Sequence, residues 1–265
     1  MCRTEREPLC DERLQHSMSS SVAEQIAIPR LKALSDLALI GRNREMAKLR
    51  RLAEAETPAL IHGAPGSGKT RLLLDLSNQL AADGRDVLYL RFEQPLHTFF
   101  LKIAEKLPVE CEKASSISLR GALWKAFEAK PRVILLDDIA EATPPYYRFF
   151  QRVLAAKGNT IAGSTVHEHA LGALRHIFWN RQAAIPLRSL RKRDASVLIE
   201  AAVSVFLSDV QLPSDFALRV AQAARGNPGR IVEMCILAAN PAYQAADRHI
   251  RFGALVMDSL TGLLS

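Results

Sequence analysis

Residues 59–70 read ALIHGAPGSGKT, and the fold follows from how that stretch is taken. An apolar run, Ala59, Leu60 and Ile61, enters a glycine-rich turn in which Gly63, Gly68, Lys69 and Thr70 satisfy the spacing GxxxxGK[ST]. Glycine permits the backbone angles that turn successive N–H groups toward one anion, and a Cβ there would obstruct close approach. The residues that follow, RLLLDLSNQLAADG, place Leu72, Leu73, Leu76 and Leu80 at helical spacing, with Gly84 beyond the end. A helix opening at the loop adds its free N–H groups and positive dipole end to the same site. This context favours a P-loop over a glycine turn with an incidental lysine. Gly63, Ala64, Pro65, Gly66, Ser67, Gly68 and Arg71 then surround the phosphates of a nucleotide such as ATP, Lys69 reaches the β and γ phosphates, and Thr70 reaches Mg²⁺.

Downstream, Asp86–Phe92 (DVLYLRF) is rich in strand formers, and helical stretches follow around Leu96–Leu107 and Ile117–Ala129. Arg132–Asp138 then reads RVILLDD, four apolar residues running into two aspartates. A central parallel strand has this look where its carboxyl end opens onto a ligand. Asp137 is therefore expected to hold Mg²⁺ and Asp138 to face the attacking water, the Walker B arrangement. Tyr146–Ala156 reads as a helix, Thr160–Gly163 as a strand, His167–Trp179 as a helix and Ala183–Leu187 as the last strand. Ser164 and Thr165 end the fourth strand, where a hydroxyl either holds the lytic water or serves turn chemistry. Strands alternating with helices imply an α/β fold, a three-layer sandwich around a five-stranded parallel sheet.

Beyond Leu187 the pattern changes. RSLRKRD carries Arg188, Arg191, Lys192 and Arg193, read as a solvated linker in preference to a nucleic-acid contact. Helices are expected over Asp194–Leu207, Ser214–Ala224 and Pro228–Ala238, the last with proline in its first turn. The expected organisation is a loosely ordered arm at 1–27, an α/β body at 28–188, a small C-terminal helical lid at 189–240 and a tail at 241–265 forming a short strand and helix. Ahead of the P-loop, one helix is expected before Gly41 and another after Asn43, which is expected to cap it, with Met46, Leu49 and Leu52 on one face. Gly41 and Arg42 between them either cover a nucleotide base or form a surface turn.

Composition narrows the class. The 265 residues carry a formal net charge of +7, which suits contact with a polyanion as well as an ordinary soluble protein. The four cysteines, Cys2, Cys10, Cys111 and Cys235, form no CxxC pair, which argues against a disulfide framework and a zinc site. No apolar run approaches the roughly 20 residues that span a bilayer, and the first residues are polar. A cytoplasmic protein that does not enter a membrane is expected.

Together GAPGSGKT, VILLDD, the polar end of the next strand and the helical segment beginning LRSLRKRDASVLIEAA resemble the AAA+ and STAND branch of P-loop ATPases, over roughly residues 38–239. ARGNPGRIVEMC, Ala224–Cys235, is similar to the sensor 2 region of initiator and transposition-regulator AAA+ proteins and to the GNP segment of STAND switches. The resemblance implies nucleotide-binding roles for Lys69 and Thr70, a metal role for Asp137 and a sensor 1 role for Ser164 or Thr165. It also implies that Gly41 and Arg42 cover adenine. Asp138 stands where AAA+ enzymes usually carry a catalytic glutamate, a departure that STAND switches share. Gly229 occupies the usual sensor 2 arginine position and Arg230 follows it, so Arg230 reaches the γ-phosphate or is a helix-surface charge. Arg175 and Arg181 lie in the region that supplies an arginine finger to a neighbouring subunit in a homo-oligomer, unless they are surface residues. Three functions stay open: an ATPase that assembles on duplex DNA without strong sequence preference, acting with a transposase or another protein; a STAND-like switch on a protein partner; and a P-loop small-molecule kinase.

Overall fold

The computed structural model describes residues 37–107, 109, 115–208, 210–244 and 250–261. The elements below belong to the compact unit that begins at Leu39. The expected N-terminal arm and most of the helix expected before Gly41 lie outside the described residues.

The strands are β1 (Ala59–His62), β2 (Val87–Arg91), β3 (Val133–Ile139), β4 (Asn159–Ser164) and β5 (Ala184–Pro186); side chains of β1, β3 and β4 alternate between two buried faces, whereas β2 and β5 at the sheet edges bury one. Val133, Leu135 and Ile161 pack with Leu72, Leu73, Leu76 and Leu80 of α2 (Lys69–Ala82) and with Met46 and Leu49 of α1 (Asn43–Glu54). Ile134, Leu136 and Ala162 turn the other way, onto Phe99, Phe100 and Ile103 of α3 (Leu96–Lys106), Leu119, Leu123 and Phe127 of α4 (Ser116–Ala129), and Phe149 and Phe150 of α5 (Pro144–Ala155). Two buried faces on the central strands require helices on both sides, and the expected three-layer sandwich results. The strand order is β2-β3-β4-β1-β5, with every pairing parallel. The carboxyl ends of β1, β3 and β4 therefore open side by side.

Two local expectations fail for physical reasons. His167–Trp179 is not a helix but two single turns, Glu168–Ala170 and Ala173–His176, on either side of Gly172 at φ +58°. Gly172 lies against the loop after β3, where Ala173 N–H donates to Ala142 O at 2.9 Å, and a Cβ on Gly172 would come within 2.6 Å of that oxygen. Pairing with Ala142 replaces the helical ladder. Asn43 does not cap α1 but is its first residue, and Arg42 occupies the cap position with its side chain committed elsewhere.

Past β5, α6 (Lys192–Phe206), α7 (Phe216–Ala224) and α8 (Pro228–Ala239) bury Leu198, Ile199, Val220, Ile231 and Met234 against one another. α9 (Phe252–Thr261) packs on α8 through Leu255, preceded by an antiparallel bridge between Gln244 and Ile250 in place of the expected strand. Cys235 of α8 is a free buried thiol, pushed up to about 12 by burial.

Phe149 meets Phe99, Phe100, Phe127 and Phe150 at ring distances of 5.1–6.2 Å. Phe149→Ala is expected to lower the unfolding free energy by about 3–5 kcal/mol, measured by urea denaturation followed by circular dichroism.

Candidate nucleotide site

The P-loop is held through its carbonyl oxygens, both by its own lysine and by groups outside it. Gly66 and Gly68 take φ +74° and +95°, angles that a Cβ disfavours, and Gly68 opens α2. Lys69 Nζ donates to Gly63 O at 2.9 Å and Ala64 O at 3.2 Å. Asn227 Nδ2 donates to Pro65 O at 2.9 Å, Gly229 N–H to Gly66 O at 2.8 Å, and Arg42 Nη2 to Ser67 O at 3.1 Å. Lys69 is only 8% exposed. Burial lowers its ammonium below the ordinary lysine range, and the charges of Asp137 and Asp138 partly restore it.

The acidic pair stands at the end of β3. Asp137 is buried, its Oδ2 accepting from Tyr89 O–H at 2.8 Å and its Oδ1 from Asp138 N–H at 3.0 Å. Burial, then Asp137, raises the Tyr89 phenol, which stays protonated as the donor. The β3–β4 register shifts between Leu136 and Ile139, and Asp138 sits within that irregularity at φ +58°. Its half-exposed carboxylate lies 3.3 Å from Arg91 Nη2. Of the two hydroxyl residues ending β4, Ser164 is fully buried: its Oγ donates to Ile139 O at 2.7 Å and accepts from Val166 N–H at 3.1 Å. Thr165 is exposed. Ser164 therefore pins the bulge beside the acids, and Thr165 is the hydroxyl open to solvent.

Three imidazoles flank this edge. His62, the last residue of β1, lies 4.9 Å ring to ring from His167, which stacks on His169 at 5.9 Å. Burial, then His167, lowers the His62 imidazole below its ordinary value, against the pull of Glu168. No group of three or more His, Cys, Asp or Glu among the described residues is arranged to hold a metal by itself. Arg175 and Arg181 are exposed on either side of Trp179, itself 74% exposed, and no hydrogen bond or ion pair among the described residues joins them to the P-loop.

A cavity of about 480 Å³ is lined by Gly41, Arg42, Glu45, Arg188, Leu190 and Asp194 among others. A Cβ on Gly41 would come within 2.9 Å of Asp194 Cβ, so glycine lets the segment before α1 lie against α6. Arg42 also donates to Arg188 O at 2.7 Å and pairs with Glu45 at 3.3 Å, joining this wall to the P-loop. The basic run 188–193, expected as a linker, thus supplies Arg188 and Arg191 to the cavity wall. Arg230 is in the first turn of α8, its Nε buried without a hydrogen-bond partner among the described residues.

The groups present fit a triphosphate with Mg²⁺. Ser67 Oγ is buried in the loop with no hydrogen-bond partner among the described residues. Gly163 of β4 keeps room at the site: a Cβ there would stand 3.3 Å from Asp137 Oδ1 and 3.5 Å from Lys69 Cβ. Sequence reading did not single out Tyr89 or Gly163, and it took Asn227 only as part of the GNP segment. The first two look like ordinary strand residues until the register is known; Asn227 carried a signal, an Asn-Pro helix start, without indicating what its amide would grip.

Residues 51–165 match the family model of the AAA domain. No curated protein matches the chain in sequence. Among solved structures the chain is similar to replication initiator DnaA bound to AMPPCP and single-stranded DNA, at 17% identity over 77% of this chain and 63% of that one, with a TM-score of 0.55. It is similar to AMPPCP-bound DnaA from Aquifex aeolicus, at 16% identity over 80% of this chain and 66% of that one, TM-score 0.54. It is also similar to domain III of DnaA from Thermotoga maritima, at 15% identity over 85% and 95%, TM-score 0.57. At these identities the likeness is one of fold, and the chain spans less than two thirds of the first two proteins.

Ser164→Ala leaves the Ile139 carbonyl and the Val166 N–H without their partner. It is expected to lower the unfolding free energy by about 1–3 kcal/mol, whereas Thr165→Ala changes it by less than about 0.5 kcal/mol, both measured by urea denaturation.

Proposed function

We propose, on the premise that the chain is an AAA+ type P-loop protein, that it binds ATP at residues 63–70, hydrolyses it slowly and uses nucleotide state to move the C-terminal helices against the sheet. The observation that carries this reading is the buried Lys69 ammonium, held by P-loop carbonyls beside the two acids of β3. On binding, Lys69 exchanges Gly63 O and Ala64 O for β and γ phosphate oxygens, and the N–H groups at the start of α2 face the same charge. Thr70 and Asp137 would hold Mg²⁺, which neutralises phosphate charge when bound. Asp138 orients the attacking water. Its carboxylate is one methylene shorter than the usual glutamate and is shared with Arg91, and both features favour slow turnover. Arg230 reaches the phosphates from α8, Thr165 contacts the γ-phosphate end, and Arg175 or Arg181 completes the site of a neighbouring copy in a homo-oligomer. Gly41 and Arg42, with the cavity wall of Arg188 and Leu190, take the base.

For the output we favour assembly on duplex DNA in the cytoplasm, without strong sequence preference, in concert with a transposase or another protein. The net charge of +7 and the likeness in fold to DnaA support it. The Asp137–Asp138 pair favours a second reading, a STAND-like switch on a protein partner, which shares the same nucleotide site.

Lys69→Ala is expected to abolish measurable ATP binding by calorimetry and to lower any phosphate release by about 10²-fold or more. Full affinity and turnover in that variant would remove the ATPase reading. With ATP present, affinity for plain duplex DNA should fall linearly on a log–log plot against salt, in fluorescence anisotropy. No binding, or binding indifferent to salt, selects the protein-partner reading.

A further inference from the structure

The P-loop's outer carbonyls are gripped by the start of α8. Asn227 uses both ends of its side chain: Oδ1 accepts from Arg230 N–H at 3.1 Å and caps the helix, while Nδ2 donates to Pro65 O at 2.9 Å. Two residues on, Gly229 N–H donates to Gly66 O at 2.8 Å, and a Cβ on Gly229 would stand 2.7 Å from Gly66 Cα. In a trans peptide the C=O and N–H point opposite ways. Holding Pro65 O outward therefore turns Gly66 N–H to the opposite face of the loop, as Arg42 on Ser67 O does for Gly68 N–H. Holding Gly66 O fixes the peptide whose N–H closes a turn onto Ala64 O at 3.1 Å. A glycine loop left to itself has many conformations to lose on binding an anion.

The segment leading from β5 into α6 lines the cavity proposed above for the base. Leu190 and Asp194 line the cavity beside Gly41, and Leu190 N–H donates to Gly226 O at 2.7 Å, next to Asn227. A Cβ on Gly226 would come within 2.6 Å of Leu190 O. The strand-to-helix connection and the start of α8 thus form one unit that touches both ends of the site.

We infer that Asn227 and Gly229 are positioning residues for the phosphate loop: docked, they preset its amides for phosphate, and undocked, they release them. The inference rests on the ATP reading above, so that the helices set phosphate affinity through the loop's main chain as well as through any side chain that reaches the nucleotide.

The test uses the full chain and two neutral variants. Asn227→Ser keeps a helix-capping oxygen but is too short to reach Pro65 O, and Gly229→Ala pushes α8 off Gly66. In nucleotide-free protein, both should speed amide exchange in a peptide covering 63–70, and in Asn227→Ser the thermal midpoint should stay near that of the parent. Both should weaken ATP, Asn227→Ser about tenfold with adenosine affinity within about twofold, because one lost hydrogen bond corresponds to about a tenfold change. Unchanged exchange with unchanged ATP affinity overturns the inference. So does equal weakening of ATP and adenosine in Asn227→Ser, which would mean displacement of the whole helical unit. Lys69→Ala separates the two readings: if it keeps ATP affinity, the ATP site is misplaced, while amide exchange still decides whether Asn227 and Gly229 hold the loop.

Discussion

An ammonium group withdrawn from water needs oxygen around it, and Lys69 sets that requirement for the whole site. At 8% exposure it is answered by two carbonyls of the loop that precedes it and by the field of two carboxylates on β3. Dipoles of neutral carbonyls replace hydration only in part, which is why burial outweighs the acids and the group loses its proton more readily than an ordinary lysine. A phosphate would answer the same charge more completely. The energetic incentive for an anion to enter therefore exists before any anion is present, and the glycines make room for it.

The acids depend on a defect in the sheet. If β3 ran in regular register to its end, successive side chains, those of Asp137 and Asp138 included, would simply alternate between faces. The shift between Leu136 and Ile139 breaks that alternation at Asp138, whose positive φ carries the chain around the corner. Ser164 accounts for the irregularity by bonding the Ile139 carbonyl that the ladder leaves over. Tyr89, from the neighbouring strand, then fixes the rotation of the Asp137 carboxylate. Tyr89 O–H and Asp138 N–H are both neutral donors, so they orient the carboxylate without cancelling the charge that a cation would need.

Much of this was legible in the residues. The spacing of Gly63, Gly68, Lys69 and Thr70, and an apolar strand ending in two acids, are local patterns, and they led directly to the three-layer sheet. What depended on distant pairing was not legible. Gly172 read as one residue of a helix because nothing nearby in sequence indicates that Ala142 will pair with it. Ser164 and Thr165 looked equivalent as strand-end hydroxyls, and only the bulge on the next strand distinguishes them. Asn43 was the better capping residue by type, yet Arg42 holds that position, because its guanidinium is recruited by Ser67 O and Arg188 O far along the chain.

Those two carbonyls explain how the parts act as one. Ser67 belongs to the phosphate loop and Arg188 to the segment leaving the sheet, so a single buried cation ties the entrance of α1, the loop and the exit from β5 together. Arginine suits the task because its planar fork reaches several acceptors at once and keeps its charge at any ordinary pH. Rotation of the C-terminal helices about the segment after β5 would strain this knot at one end and the Asn227 grip at the other. The elastic link between helices and loop is thus main chain held by two side chains. That is a stiffer connection than a surface ion pair, and one suited to converting the presence of a phosphate into a change of shape.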